Sequence, residues 1–77
     1  MVGDEVKRLA ADVCGVDAAA IRDEARLLDY GMDSVRAVDF IVRLEETFGI
    51  SISETEAAKL RTFRDVIRFV EGKLCLP

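Results

Sequence analysis

Apolar residues recur through most of this chain at the spacing of an α-helix, and no proline interrupts them before the last position, Pro77. Val6, Leu9, Ala10 and Val13 stand at i, i+3, i+4 and i+7, so a first helix is expected, ending at Gly15. Asp4 and Glu5 precede that run and suit the positive end of the helix dipole. A second helix is expected from near Asp33 to Phe48, with Gly49 as its C-cap. Ile50 and Ile52 then alternate with Ser51 and Ser53. Ser53-Glu54-Thr55-Glu56 has the form of a capping box opening a short third helix through Leu60. Thr62 to Asp65 caps a fourth, whose core side holds Val66, Ile67, Val70 and Leu74. From Gly15 to Gly31 the periodicity fails. There Val16, Ile21, Leu27 and Leu28 lie irregularly among Asp17, Asp23, Arg26 and Asp29, a pinned but structureless loop of a length that is usually functional. The expected fold class is all-α: a four-helix bundle of three longer helices and one short, with a long loop between helices 1 and 2. Residues 1–77 are expected to form one domain.

What such a bundle could do is bounded by what it lacks. The 77 residues include no histidine, which removes Ser-His-Asp and Cys-His triads, histidine general bases and histidine-containing zinc sites. The formal charge is −4, with acids concentrated in residues 1–60, so a nucleic-acid partner is disfavoured and a basic protein partner favoured. Cys14 and Cys75 show no repeated spacing and read as free thiols in a reducing cytosol rather than as a disulfide or metal knuckle. Cys75 also stands too near the end for a prenylation box. No apolar run approaches the ~20 residues that span a bilayer, and the N-terminus lacks the order of a secretory signal, so a cytoplasmic protein with no membrane partner is expected. Asp29-x-Gly31-x-Asp33 hints at a calcium loop, but Phe40 stands where a bidentate glutamate is required. No metal ligands and no catalytic residues are assigned.

The second helix carries two apolar stripes. Ala37, Phe40, Ile41, Leu44 and Phe48 fall on one broad face, the core side. Val35, Val38 and Val42 form another, about 135° away, with Arg36, Asp39, Arg43 and Glu46 beyond it. The valines are explained either by a second neighbour within the bundle or by a partner outside it. Ser34 begins this stripe, just after Gly31 and at the helix start, where unpaired N–H groups and the dipole favour an anion. Asp33 is the expected cap, leaving the Ser34 hydroxyl free. Cys14 reads as a small packed residue, and Tyr30 as packing the loop on the bundle.

Gly31-Met32-Asp33-Ser34-Val35 resembles the Gly-x-Asp-Ser-Leu/Ile/Val signature of acyl and peptidyl carrier proteins, in which 4′-phosphopantetheine is esterified to the serine. The helix ending at Gly15-Val16, the segment Leu44-Glu45-Glu46-Thr47-Phe48-Gly49-Ile50, and Leu60-Arg61-Thr62-Phe63 before a last amphipathic helix resemble carriers in order and spacing. The resemblance implies a covalent 4′-phosphopantetheine cofactor on Ser34, with Asp33 helping the modifying transferase to hold the metal bound to coenzyme A. Val35, Val38 and Val42 match exposed positions touched by partner enzymes, and Asp39 and Glu46 match acids met by their basic residues. Implied partners are a phosphopantetheinyl transferase, a ligase or acyltransferase that loads acyl, aryl or amino acids, and synthase or condensing enzymes. The carrier itself would be a non-catalytic monomer.

Arg36 and Arg43 dilute the acidity of the second helix and set it apart from fatty-acid carriers; Arg36 is placed among the partner-contacting residues. The stretch from Leu28 to Arg36 is more similar to aryl and peptidyl carriers of nonribosomal peptide assembly, and Leu44 to Ile50 to acyl carriers. A free-standing carrier of a specialised polyketide- or peptide-type pathway is thus favoured over the central fatty-acid carrier. The alternative from another class is a small helical interaction module with no prosthetic group.

Overall fold

The computed structural model describes residues 2–74. Four α-helices follow one another as α1 (Val2–Cys14), α2 (Ser34–Phe48), α3 (Glu54–Ala58) and α4 (Phe63–Leu74), and no β-strand occurs among the described residues. The core is made by Val6 and Ala10 of α1, Phe40 and Leu44 of α2, and Phe63, Val66 and Val70 of α4, all with no exposed surface. These are residues at i and i+4, or i+3 and i+4, of their helices, so each helix contributes one buried stripe. Ile21 and Met32 complete the core from the long connection. α1 packs against both α2 and α4, which leaves the opposite face of α2 uncovered by α1.

Helix ends follow the local chemistry of the sequence. Gly15 and Gly49 sit at φ of 71° and 65°, the left-handed conformation that ends α1 and α2 without the strain a Cβ would bring. The Ser53 hydroxyl accepts from the Glu56 N–H, and Glu56 accepts in return from the Ser53 N–H. α3 nevertheless stops at Ala58 rather than Leu60. The Lys59 and Leu60 N–H groups donate three residues back, to Glu56 and Ala57, tightening the end into a turn that places Leu60 against the core. In α4, Thr62 accepts from the Asp65 N–H while Asp65 accepts from the N–H groups of Thr62 and Arg61. Leu74, expected on the core side, is 40% exposed, one turn past Val70 where the core ends. Cys75 lies outside the described residues.

The stretch from Gly15 to Gly31 departs most from expectation: it holds two 3₁₀ turns, Ala18–Ala20 and Leu27–Tyr30. Asp17 caps the first by accepting from the Ala19 N–H, and Asp29 secures the second by accepting from the Arg26 N–H. The Tyr30 hydroxyl donates to the Ala20 carbonyl, and its ring meets Phe63 edge to face at 5.6 Å. Arg26 and Thr62 form an antiparallel bridge. Around it the Leu27 N–H donates to Arg61, Phe63 to Ala25 and Arg64 to Asp23. Hence the first donors of α4, which no helical carbonyl can reach, are taken up by carbonyls of the long connection.

Three acids in these ties are held below the usual carboxylate range: Asp23 by hydrogen bonding from Lys7, Glu56 by the Ser53 N–H and then Lys73, and Asp65 by the Thr62 N–H. Because their folded-state pKa values are lowered, they bind fewer protons folded than unfolded. Their contribution is therefore present above the ordinary carboxylate pKa of about 4 and is lost as pH falls through the lower folded values. Urea midpoints measured between pH 7 and pH 2.5 are expected to fall below about pH 4, with a shallower fall in Asp65→Asn. A flat profile would contradict the assignment.

Candidate functional site

Ser34 is the first residue of α2 and is exposed. Asp33, in extended conformation just before it, accepts from the Arg36 N–H through its side chain and from the Ala37 N–H through its carbonyl. This leaves the N–H groups of Ser34 and Val35 without a partner among the described residues, at the positive end of a 15-residue helix. The Ser34 hydroxyl enters none of the described hydrogen bonds. By contrast, the hydroxyls of Ser53 and Thr62, also at helix starts, are spent as caps. The expected division of roles, Asp33 as cap and Ser34 as free hydroxyl, holds. Gly31, at φ of 80°, ends the preceding 3₁₀ turn and redirects the chain into α2.

Among the described residues the valine stripe has no neighbour that covers it. Val35, Val38 and Val42 are 78%, 65% and 43% exposed, so a second buried contact is ruled out as their explanation. Leu28, expected to help pin the connection, is instead 70% exposed and joins the apolar surface near Ser34. The charges around this stripe are partly self-compensated. Asp39 accepts from Arg43 Nε at 3.1 Å, one helical turn on, whereas the exposed Glu46 enters none of the described ion pairs. Arg36 turns back toward the start of α2, its Nη1 3.5 Å from the Gly31 carbonyl. The helix thus presents a cation at its start, an internal pair in its middle and an anion near its end. Cys14 packs beside the core as expected, and burial pushes its thiol up, against a smaller lowering by Arg36.

Two cavities open beside these residues. One, of about 290 Å³, runs between α2 and α3 and is lined by Val38, Ile41, Ile52, Ala57 and Leu60 among others. The second, of about 440 Å³, adjoins Ser34 and is bounded by Arg26, Leu28, Met32, Leu60 and Arg61. Arg26, Leu28, Met32 and Arg61 were not singled out as site residues by the sequence. Their convergence depends on the Arg26–Thr62 bridge, which no local pattern announces.

The family profile described as "Phosphopantetheine attachment site" matches residues 4–70. The chain belongs to this family. An acyl carrier protein of Solidesulfovibrio magneticus is 37% identical over 73 residues, 94% of this chain and 94% of that protein. The crystal structure of an acyl carrier protein from Thermotoga maritima matches with a TM-score of 0.79 at 27% identity, over 91% of this chain and 82% of that one. The protein is therefore a carrier whose cofactor is a covalently attached 4′-phosphopantetheine, and the reading as an interaction module without a prosthetic group is set aside. Carriers of this family work with phosphopantetheinyl transferases and synthase enzymes. The residues present suit the group: an exposed hydroxyl not used as a cap, two unpartnered N–H groups at a helix start, and open space alongside. Among the described residues no helix is long and apolar enough to cross a membrane.

Proposed function

We propose that Ser34 carries the phosphopantetheine and that the face of α2 bearing Val35, Val38 and Val42 docks the enzymes that load and unload it. The observation that carries this reading is the pairing at the start of α2, where Asp33 does the capping and so leaves Ser34 with a free hydroxyl beside unpartnered N–H groups. Those donors and the dipole stabilise a phosphate on Ser34 by about 0.3–1 kcal/mol at an exposed position. Once attached, the group supplies a terminal thiol on which acyl, aryl or aminoacyl cargo is held as a thioester. Among the described residues no acid, base and nucleophile converge, which supports a non-catalytic role with the chemistry left to partners. Asp33, exposed beside Ser34, is the acid offered to the transferase's metal. The apolar cavity between α2 and α3 is suited to shelter an apolar cargo.

After incubation with coenzyme A, magnesium and a broad-specificity phosphopantetheinyl transferase, the intact mass is expected to rise by one phosphopantetheine. Tryptic mapping is expected to place the added mass on the peptide of residues 27–36, where Ser34 is the sole aliphatic hydroxyl. An added mass on any other peptide would remove Ser34 from the proposal.

The cation at the start of α2 supports a carrier of a specialised pathway, served by a loading ligase or acyltransferase and by condensing enzymes that place an acid opposite Arg36. Arg36→Glu reverses that charge at an exposed position, leaving helicity unchanged. It is expected to lower loading by the cognate ligase or acyltransferase by roughly tenfold, the ~1.4 kcal/mol scale of a rim charge contact turned repulsive. Unchanged loading kinetics would show that Arg36 takes no part in partner choice.

A further inference from the structure

Tyr30 is tied into the long connection more closely than packing requires. Its ring meets Phe63 edge to face, a contact that a phenylalanine would make equally well. The hydroxyl does something else. It donates to the Ala20 carbonyl at 3.0 Å and accepts from the Arg22 N–H at 3.3 Å. These are the only described hydrogen bonds that join residues 18–22, around the first 3₁₀ turn, to the second turn, Leu27–Tyr30. The second turn is fixed at its start, where the Leu27 N–H donates to the Arg61 carbonyl. From Leu28 to Met32, bonds between main-chain groups stay within residues 26–33. Side chains therefore set that stretch against the bundle: Tyr30 at one point and the buried Met32 at another.

We infer that Tyr30 is a positioning residue for phosphopantetheine transfer: its hydroxyl holds the second 3₁₀ turn so that Leu28, on the outer side of the turn, meets the transferase acting on Ser34. The inference rests on Ser34 as the attachment residue. Successive residues of a 3₁₀ turn stand about 120° apart, so a turn that commits Tyr30 to the bundle aims Leu28 elsewhere. Leu28 is accordingly 70% exposed. It borders the same hollow as Asp33 and Ser34, so an enzyme whose active site closes on the Ser34 hydroxyl covers it. An exposed leucine contributes little to folding. Covered by a partner it contributes to binding, and more so when the turn that bears it needs no ordering at that moment. That prior order is what the Tyr30 hydroxyl supplies. Without it the ring stays on Phe63 and the turn keeps its own main-chain bonds, but the tie to residues 20 and 22 is gone. The transferase is the partner for which this matters most. Enzymes that act on the thiol work at the far end of the arm, whereas the transferase has to bring its active site to the hydroxyl itself.

The test measures transferase kinetics with the unloaded protein as the varied substrate, after peptide mapping has confirmed loading at Ser34. Leu28→Ala, a change at an exposed position, is expected to raise KM by roughly tenfold at unchanged kcat, the effect of losing one leucine's burial on docking. Tyr30→Phe, shown by circular dichroism and urea unfolding to be folded, is expected to raise KM in the same way, again at unchanged kcat. Its amide exchange is expected to quicken at Asp29 and Gly31, the donors within the turn. In the double variant KM is expected to match that of Leu28→Ala, because the hydroxyl acts through the leucine and has nothing left to position. A merely structural hydroxyl would lower the urea midpoint and leave the KM of the folded carrier where it is, and that result would overturn the inference. So would KM factors that multiply in the double variant, or an unchanged KM in Leu28→Ala, which leaves Tyr30 intact. Loading elsewhere than Ser34 is a separate result: it would retire the attachment assignment, and this inference with it.

Discussion

Ser34→Ala is expected to abolish the gain of one phosphopantetheine on incubation with coenzyme A, magnesium and a phosphopantetheinyl transferase, while changing stability by no more than about 0.5 kcal/mol. The two halves of that expectation have separate causes. The fold does not depend on the Ser34 hydroxyl, because Asp33 caps α2 and Ala is a better helix former than Ser. The chemistry depends on it wholly, and the hydroxyls of Ser53, Thr62 and Thr47 are poorly placed to substitute. Those of Ser53 and Thr62 accept from N–H groups as caps, and Thr47 lies in the last turn of α2, where the dipole disfavours a phosphate. Ser34→Thr refines the result: the hydroxyl remains but sits on a branched carbon, and loading is expected to be slowed rather than lost. A mass gain that persists in Ser34→Ala would end the assignment.

The second large effect separates the two faces of α2. Phe40→Ala empties a fully buried position in the core and is expected to cost about 3–5 kcal/mol. A folded chain of 77 residues has a total stability of about 4–12 kcal/mol, so the variant would be marginal or unfolded at 37 °C. Val38→Ser, two residues earlier on the same helix, is expected to leave the urea midpoint nearly unchanged, because Val38 is 65% exposed and Ser and Val have similar helix propensities. It is instead expected to raise the KM of the transferase for the carrier, since it removes apolar surface from the proposed docking face. Equal loss of stability in the two variants would mean that the valine stripe is part of the core.

The helices were legible because their signals are local. Buried residues at Val6 and Ala10, Phe40 and Leu44, and Val66 and Val70 repeat at helical spacing, and the boundaries carry glycines, Asp33, Ser53 and Thr62 as recognisable end residues. The capping of α2 by Asp33 was legible for the same reason, whereas a role for Ser34 as attachment residue came from the resemblance of residues 31–35 to carrier proteins. The connection was not. Its 3₁₀ turns are too short for a period, and the bonds that order it run to residues 61–64, far along the chain. Met32, 3% exposed between Gly31 and Asp33, is a single apolar residue in a polar stretch, with no pattern to mark it as core. The cavity beside Ser34 inherits this limit, because its two arginines meet only through tertiary pairing.

That pairing has a thermodynamic side. Residues 26–62, which include all of α2, form a ring closed by main-chain hydrogen bonds at the Arg26–Thr62 bridge. Closing a flexible ring of that circumference costs on the order of 3 kcal/mol of chain entropy, a task that many small domains give to a disulfide. Here Cys14 is a free thiol, and the clasp is a few hydrogen bonds, two of which also take up the Phe63 and Arg64 N–H groups at the start of α4. Opening the ring therefore strips α4 of these two partners and leaves only the Thr62 and Asp65 side chains to cap it. α2 is held inside a noncovalent buckle, and that buckle cannot slip without weakening the start of the last helix of the bundle.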